Sequence, residues 1–89
     1  MEELKKKTIR FKVNLITQKD VIELSQIANI CPRNISVYAR HDTYIIDAKS
    51  LLSLFGLDLS NEIEIEITNV YGNEEFLNGF NKWRVNDWK

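Results

Sequence analysis

Residues 62–68 read Glu-Ile-Glu-Ile-Glu-Ile-Thr, and this stretch constrains the fold more tightly than any other. Alternation with a period of two predicts a strand whose Ile63, Ile65 and Ile67 meet a core while Glu62, Glu64 and Glu66 face outward. A helix would scatter the same residues around its circumference. The chain therefore needs a sheet with one buried face, and helices to cover it.

The remaining segments supply both. Ile9, Phe11, Val13 and Leu15 alternate with Arg10, Lys12 and Asn14, predicting a first strand over 8–15. Thr17 has the chemistry of an N-cap, with Asp20 three residues on as its capping-box partner. The helix that follows, 18–30, carries Val21, Leu24, Ile27, Ala28 and Cys31 on one face, and Pro32 stops it. Ile35, Val37 and Ala39 mark a strand over 34–40, His41-Asp42-Thr43 a turn, and Tyr44-Ile45-Ile46 a short return strand. Asp47 is placed to cap a second helix over 48–55, with Gly56 at its C-terminal cap. Tyr71-Gly72-Asn73 is a turn with Asn73 as N-cap. Phe76, Leu77, Phe80 and Trp83 make the last helix amphipathic, with Gly79 weakening it.

The order is β-α-β-β-α-β-α, an α+β fold with an open-faced four-stranded antiparallel sheet covered on one side by three helices. Charge adds a topological clue. The first strand shows Arg10 and Lys12 outward and the fourth shows Glu64 and Glu66, so these strands are expected to be neighbours. The short third strand is expected at a sheet edge, which leaves strand exchange or dimerisation open.

With 89 residues, 44% of them hydrophobic and 28% charged, the chain has the size and mixture of one globular domain. Residues 1–7 are expected as a flexible arm and 85–89 as a tail, with Trp88 able to fold back. A net charge of −1 argues against binding nucleic acid by bulk attraction. No apolar run approaches the roughly 20 residues that span a bilayer. The lysines at 5–7 precede no apolar stretch, so no secretion signal is read, and one cysteine makes no intrachain disulfide. The expected location is cytoplasmic.

Little catalytic chemistry is legible. One His and one Cys cannot build a zinc site, so no metal and no cofactor is expected. His41 is expected in solvent and Cys31 as a small apolar residue. The three glutamates read as a solvated face, not as an acid–base pair. No glycine-rich phosphate loop or nucleophile elbow is present, and no enzyme activity is expected. The informative stretch is Asp47-Ala48-Lys49-Ser50-Leu51-Leu52-Ser53-Leu54-Phe55. It puts Ser50 in the first turn of a helix, where phosphoryl charge is tolerated, beside leucines that cannot all face inward.

Together, Phe11-Lys12-Val13, Asp47-Ala48-Lys49-Ser50-Leu51-Leu52, Glu62-Ile63-Glu64-Ile65 and Tyr71-Gly72-Asn73-Glu74-Glu75 resemble HPr, the histidine-containing phosphocarrier of the bacterial sugar phosphotransferase system. The resemblance spans residues 8–85 and includes the element order. It implies the open-faced sandwich, with first and fourth strands adjacent. The family's phosphotransfer histidine opens the first helix in a stretch reading roughly Gly-Ile/Leu-His-Ala-Arg-Pro. Here that stretch is Thr17-Gln18-Lys19-Asp20-Val21-Ile22, and the histidine's position falls within Gln18, Lys19 and Asp20. Without imidazole there is no phosphohistidine, so phosphocarrier activity is not expected. Ser50 falls on the family's regulatory serine, the target of HPr kinase/phosphorylase. Ser53 and Asp58 replace glycines usual there. The resemblance implies a catabolite-repression type of regulatory or adaptor protein. Ser50 would be its phosphoacceptor, Lys49, Leu51, Leu52 and Phe55 its contacts, and a transcription regulator its partner. Two alternatives stay open: an interaction module with no phosphorylation, and a carrier using Asp20 or His41.

Overall fold

The computed structural model describes residues 6–41, 43–60, 62–71 and 74–85. Its elements are β1 (Lys7–Val13), α1 (Gln18–Ile30), β2 (Ser36–His41), β3 (Tyr44–Asp47), α2 (Leu51–Leu54), β4 (Ile63–Val70) and a 3₁₀ helix (Glu75–Trp83). The strands form one antiparallel sheet in the order β1-β4-β2-β3. The architecture is α+β, an open four-stranded sheet with three helices, as the periodicities require.

β4 is hydrogen-bonded on both sides, to β1 and β2. Ile63, Ile65, Ile67 and Val70 are consequently sealed from solvent on the helical face. Each such side chain contributes about 1.5–3 kcal/mol by leaving water. Val21, Leu24 and Ala28 from α1, Leu54 from α2, and Phe80 and Trp83 from the 3₁₀ helix close over them. Phe80 meets Phe11 edge-on, with ring centroids 5.6 Å apart.

The open face carries the charge pairing expected from the sequence. Arg10 stands opposite Glu66 and Lys12 opposite Glu64 across β1 and β4. Arg40 of β2 reaches both glutamates, Glu66 at 2.9 Å and Glu64 at 3.5 Å. Arg10, Glu66, Arg40 and Glu64 thus form one ion-pair network, and Glu62 pairs with Lys12 at 3.9 Å.

Several boundaries differ from expectation. The second helix is four residues long and starts at Leu51, because Asp47 is still in β3 opposite Tyr38. The Asp47 carboxylate accepts from the Lys49 N–H at 2.9 Å, making a local turn, and Ser50 takes the N-cap position. Gly56 is not in the left-handed region; its N–H continues the turn to the Ser53 carbonyl at 3.2 Å. The last helix is 3₁₀ throughout, with Leu77, Phe80 and Trp83 stacked at spacing three, as that geometry favours. Its N-cap is Glu74; the expected Asn73 cap lies outside the described residues, as does Trp88. Lys7 and Val85, expected in the arm and tail, are both tied to β-structure. Lys7 opens β1 opposite Val70, and the Val85 N–H donates to the Lys12 carbonyl at 2.9 Å. At the far end of β4, Asn69 takes a positive φ of 64°, which asparagine tolerates, and its side-chain amide donates to the Asn34 carbonyl at 2.7 Å.

Candidate functional site

The segment from Asp47 to Phe55 is held against the end of α1 and the loop behind it. The Lys49 ammonium donates to the Ile35 carbonyl at 2.8 Å and the Pro32 carbonyl at 3.4 Å. The Lys49 carbonyl accepts from the Asn29 side-chain amide at 3.1 Å. Lys49, expected as a contact, thus turns its charge into the molecule and positions α2.

A one-turn helix has two faces at spacing three. Leu51 and Leu54 take the inner one: Leu54 is buried and Leu51 packs half-buried on the core. Leu52 and Phe55 take the outer one, 84% and 41% exposed. Of the three expected apolar contacts, Leu52 and Phe55 reach the surface and Leu51 belongs mainly to the core. The Ser50 side chain makes no capping bond; its hydroxyl donates to the Ser53 hydroxyl at 3.0 Å in an exposed setting. Ser50, half-buried itself, therefore precedes the exposed Leu52 and Phe55 in the chain and keeps its hydroxyl in an exposed hydrogen bond.

Gln18, Lys19 and Asp20 are at the other end of α1. Asn29, which touches Lys49, lies eleven residues beyond Gln18, or about 16 Å along the helix axis. The Asp20 carboxylate accepts the Ile16 N–H at 2.9 Å and the Thr17 N–H at 3.1 Å, and the Thr17 hydroxyl accepts the Asp20 N–H at 3.3 Å. This is the capping box read from the sequence. The bonds from Ile16 and Thr17 hold the carboxyl below its ordinary range. Asp20 is a helix cap whose Oδ2 accepts both of these N–H groups.

His41 departs from expectation. It is the last residue of β2, half-buried, and lines a cleft of about 350 Å³ with Tyr44, Ile46, Gly56, Leu57 and Asp58. Sequence reasoning missed this cleft. Tyr44 and Ile46 share a face by alternation, but no spacing rule links them to Gly56–Asp58, which the chain brings back only after α2. No family model, curated protein or solved structure matches this chain. Its function is therefore argued from its own residues. Among those described, no helix is long and apolar enough to cross a membrane, and no three His, Cys, Asp or Glu side chains gather as a metal site would require.

Proposed function

We propose that this chain is a non-catalytic regulatory or adaptor protein that works through the surface of α2, with Ser50 as a phosphoacceptor. The observation that carries the reading is a serine hydroxyl in an exposed hydrogen bond at the start of α2, followed by two exposed apolar side chains, Leu52 and Phe55, on a turn braced by Lys49. Phosphorylation would add about −1.5 to −2 charges at the edge of that patch and change what docks on it, with no change of fold needed. The resemblance to HPr supports the same residue, and the β1–β4 adjacency agrees with that family's architecture. The partner class is protein: a kinase of the HPr kinase/phosphorylase type to modify Ser50, and a transcription regulator of carbon catabolite control to receive it.

A second reading has its own observation. The Ser50 hydroxyl is already bonded to Ser53, and the Lys49 ammonium is committed to Ile35 and Pro32, so neither is set aside for a phosphoryl group. On this reading α2 is a docking surface without a switch. Intact mass after incubation with ATP and an HPr kinase/phosphorylase separates the two. The first reading expects one added phosphoryl group, absent from Ser50→Ala. An unchanged mass rejects it in favour of the second.

A further inference from the structure

The two edges of the sheet are treated differently. The outer edge of β1 is closed by the chain itself: the Asn14 N–H donates to the Trp83 carbonyl at 2.7 Å, Val13 bridges Arg84, and the Val85 N–H reaches Lys12. That strand also carries Lys7, Arg10 and Lys12, the charges that guard an edge. The opposite edge, β3, reads Tyr-Ile-Ile-Asp and carries no lysine, proline or bulge. Among the described residues nothing pairs with it. Tyr44 and Ile45 are 67% and 58% exposed there.

The ladder fixes which groups point outward. The Ala48 N–H donates to the Val37 carbonyl at 2.8 Å, continuing the β2–β3 register by one position. Alternate residues of an antiparallel strand address the same neighbour, so Ile46 and Tyr44 bond toward β2. Ile45 presents its N–H and C=O groups to the outside, whereas the Asp47 carbonyl already accepts the Ser50 N–H at 2.9 Å, so the exchange centres on Ile45.

We propose that β3 pairs antiparallel with β3 of a second copy of this chain, about a two-fold axis at Ile45, joining two four-stranded sheets into one of eight strands. The register is chosen by the side chains. With Ile45 opposite the partner's Ile45, Tyr44 falls opposite the partner's Ile46, and Thr43 opposite the partner's Asp47. Apolar residues meet at the centre and polar ones at the ends. A slip of one residue would set the open face against the helical face. A slip of two would lay Ile45 against the partner's Asp47 carboxylate in one direction and against the partner's Thr43 hydroxyl in the other. In the favoured register the Ile45 pair exchanges two backbone hydrogen bonds. It also buries the one aliphatic side chain that ends the charged row Lys12–Glu64–Arg40–Ile45.

The cleft beside β3 gives the second copy a seat. Ile46 forms part of its wall, and cross-strand neighbours hold their Cβ atoms about 5 Å apart. The partner's Tyr44 ring therefore enters the cleft between Ile46 and the Gly56–Asp58 segment, and the exchange is reciprocal, as a two-fold requires. Its volume of about 350 Å³ accommodates a phenol ring. Two such edges with their tyrosines bury on the order of 800 Å² in all, below the roughly 1,200 Å² of stable complexes, so the dimer is weak and concentration-dependent.

Sedimentation equilibrium of the full chain from about 10 μM to about 1 mM tests this, a range that brackets weak transient association. The expected result is a monomer–dimer equilibrium. Ile45→Lys weakens it at least tenfold, Ile45→Thr, which keeps the β-branched shape, weakens it several-fold, and Leu52→Lys on α2 leaves it unchanged. Circular dichroism of each variant establishes that it is folded. A monomer across the range would overturn the proposal and leave the edge to an extended segment of a different protein. A dimer indifferent to both Ile45 variants, or lost in Leu52→Lys, would overturn it too.

Discussion

Arg40 and Glu66 meet at 2.9 Å in the middle of the open sheet face, with only 14% of the Glu66 side chain exposed. Arg10 approaches the same carboxylate oxygen from β1 at 3.6 Å, so one acid ties three adjacent strands together. Exposed ion pairs contribute little, but a shielded carboxylate between two guanidinium groups contributes more. Glu66→Gln is expected to cost about 1 kcal/mol, near the top of the range for such pairs. A double-mutant cycle of Arg40→Ala and Glu66→Gln in urea unfolding should return a coupling that shrinks with added salt. Zero coupling at low salt would contradict the role given to Glu66.

The capping box gives a pH signature. Asp20 has a depressed carboxyl pKa in the folded chain because it accepts the Ile16 and Thr17 N–H groups. Its contribution is present above the unfolded value of about 3.9 and is lost as pH falls through the lower folded value. Asp20→Asn should therefore flatten the acid limb of stability against pH below about 4 while changing the slope little at neutral pH. Thr17→Ala should cost about 1 kcal/mol at neutral pH. An acid limb identical in Asp20→Asn would count against the cap.

Gly79 lets the 3₁₀ helix approach α1. A Cβ built there would lie 2.9 Å from the Ile27 Cδ1 atom, the far end of a flexible side chain. Gly79→Ala should therefore change stability by less than about 1 kcal/mol, since the propensity gained offsets the displaced methyl. Gly79→Val should cost about 1–3 kcal/mol by overpacking, and Ile27→Ala should recover part of it. Additive effects would show that the two residues do not meet.

Cys31 is buried, its thiol donating to the Ile27 carbonyl at 3.4 Å, and burial pushes its pKa up. Alkylation at pH 8 should be far slower than for a free thiol and should reach full rate only in denaturant. Prompt modification of the folded chain would contradict that burial.

Much of this fold is legible in the chain because its strongest signals are local or paired. The β4 alternation, the Thr17–Asp20 cap and the charges of Arg10, Lys12, Glu64 and Glu66 each specify their own geometry, and the register places Arg10 opposite Glu66 as the charges require. The second helix was not legible at its start. Asp47 has the chemistry of an N-cap, but strand pairing with Tyr38 retains it, and its carboxylate makes a turn with Lys49 instead. The 3₁₀ helix follows from packing: Leu77, Phe80 and Trp83 fit either helical period, and the backbone of Gly79 pressed on Ile27 accompanies the tighter one. At the candidate site, the sequence places Ser50 at the start of the second helix and requires that Leu51, Leu52 and Phe55 not all face inward, without fixing which of them turn out. The inward turn of Lys49 could not, because its acceptors are carbonyls in a distant loop, and carbonyls carry no sequence signal.

On the proposed function, Ser50, and neither Asp20 nor His41, would receive a phosphoryl group. The most direct measurement is ³¹P NMR of the full chain after exposure, in separate samples, to ATP with an HPr kinase/phosphorylase and to phosphoenolpyruvate with the phosphotransferase that loads phosphocarriers. Phosphorylation at Ser50 should give one resonance, from the ATP sample only, that survives acid as a serine ester does and titrates near pH 6. An acid-labile signal, the mark of a phosphoramidate on His41 or an acyl phosphate on Asp20, would contradict it, as would silence in both samples.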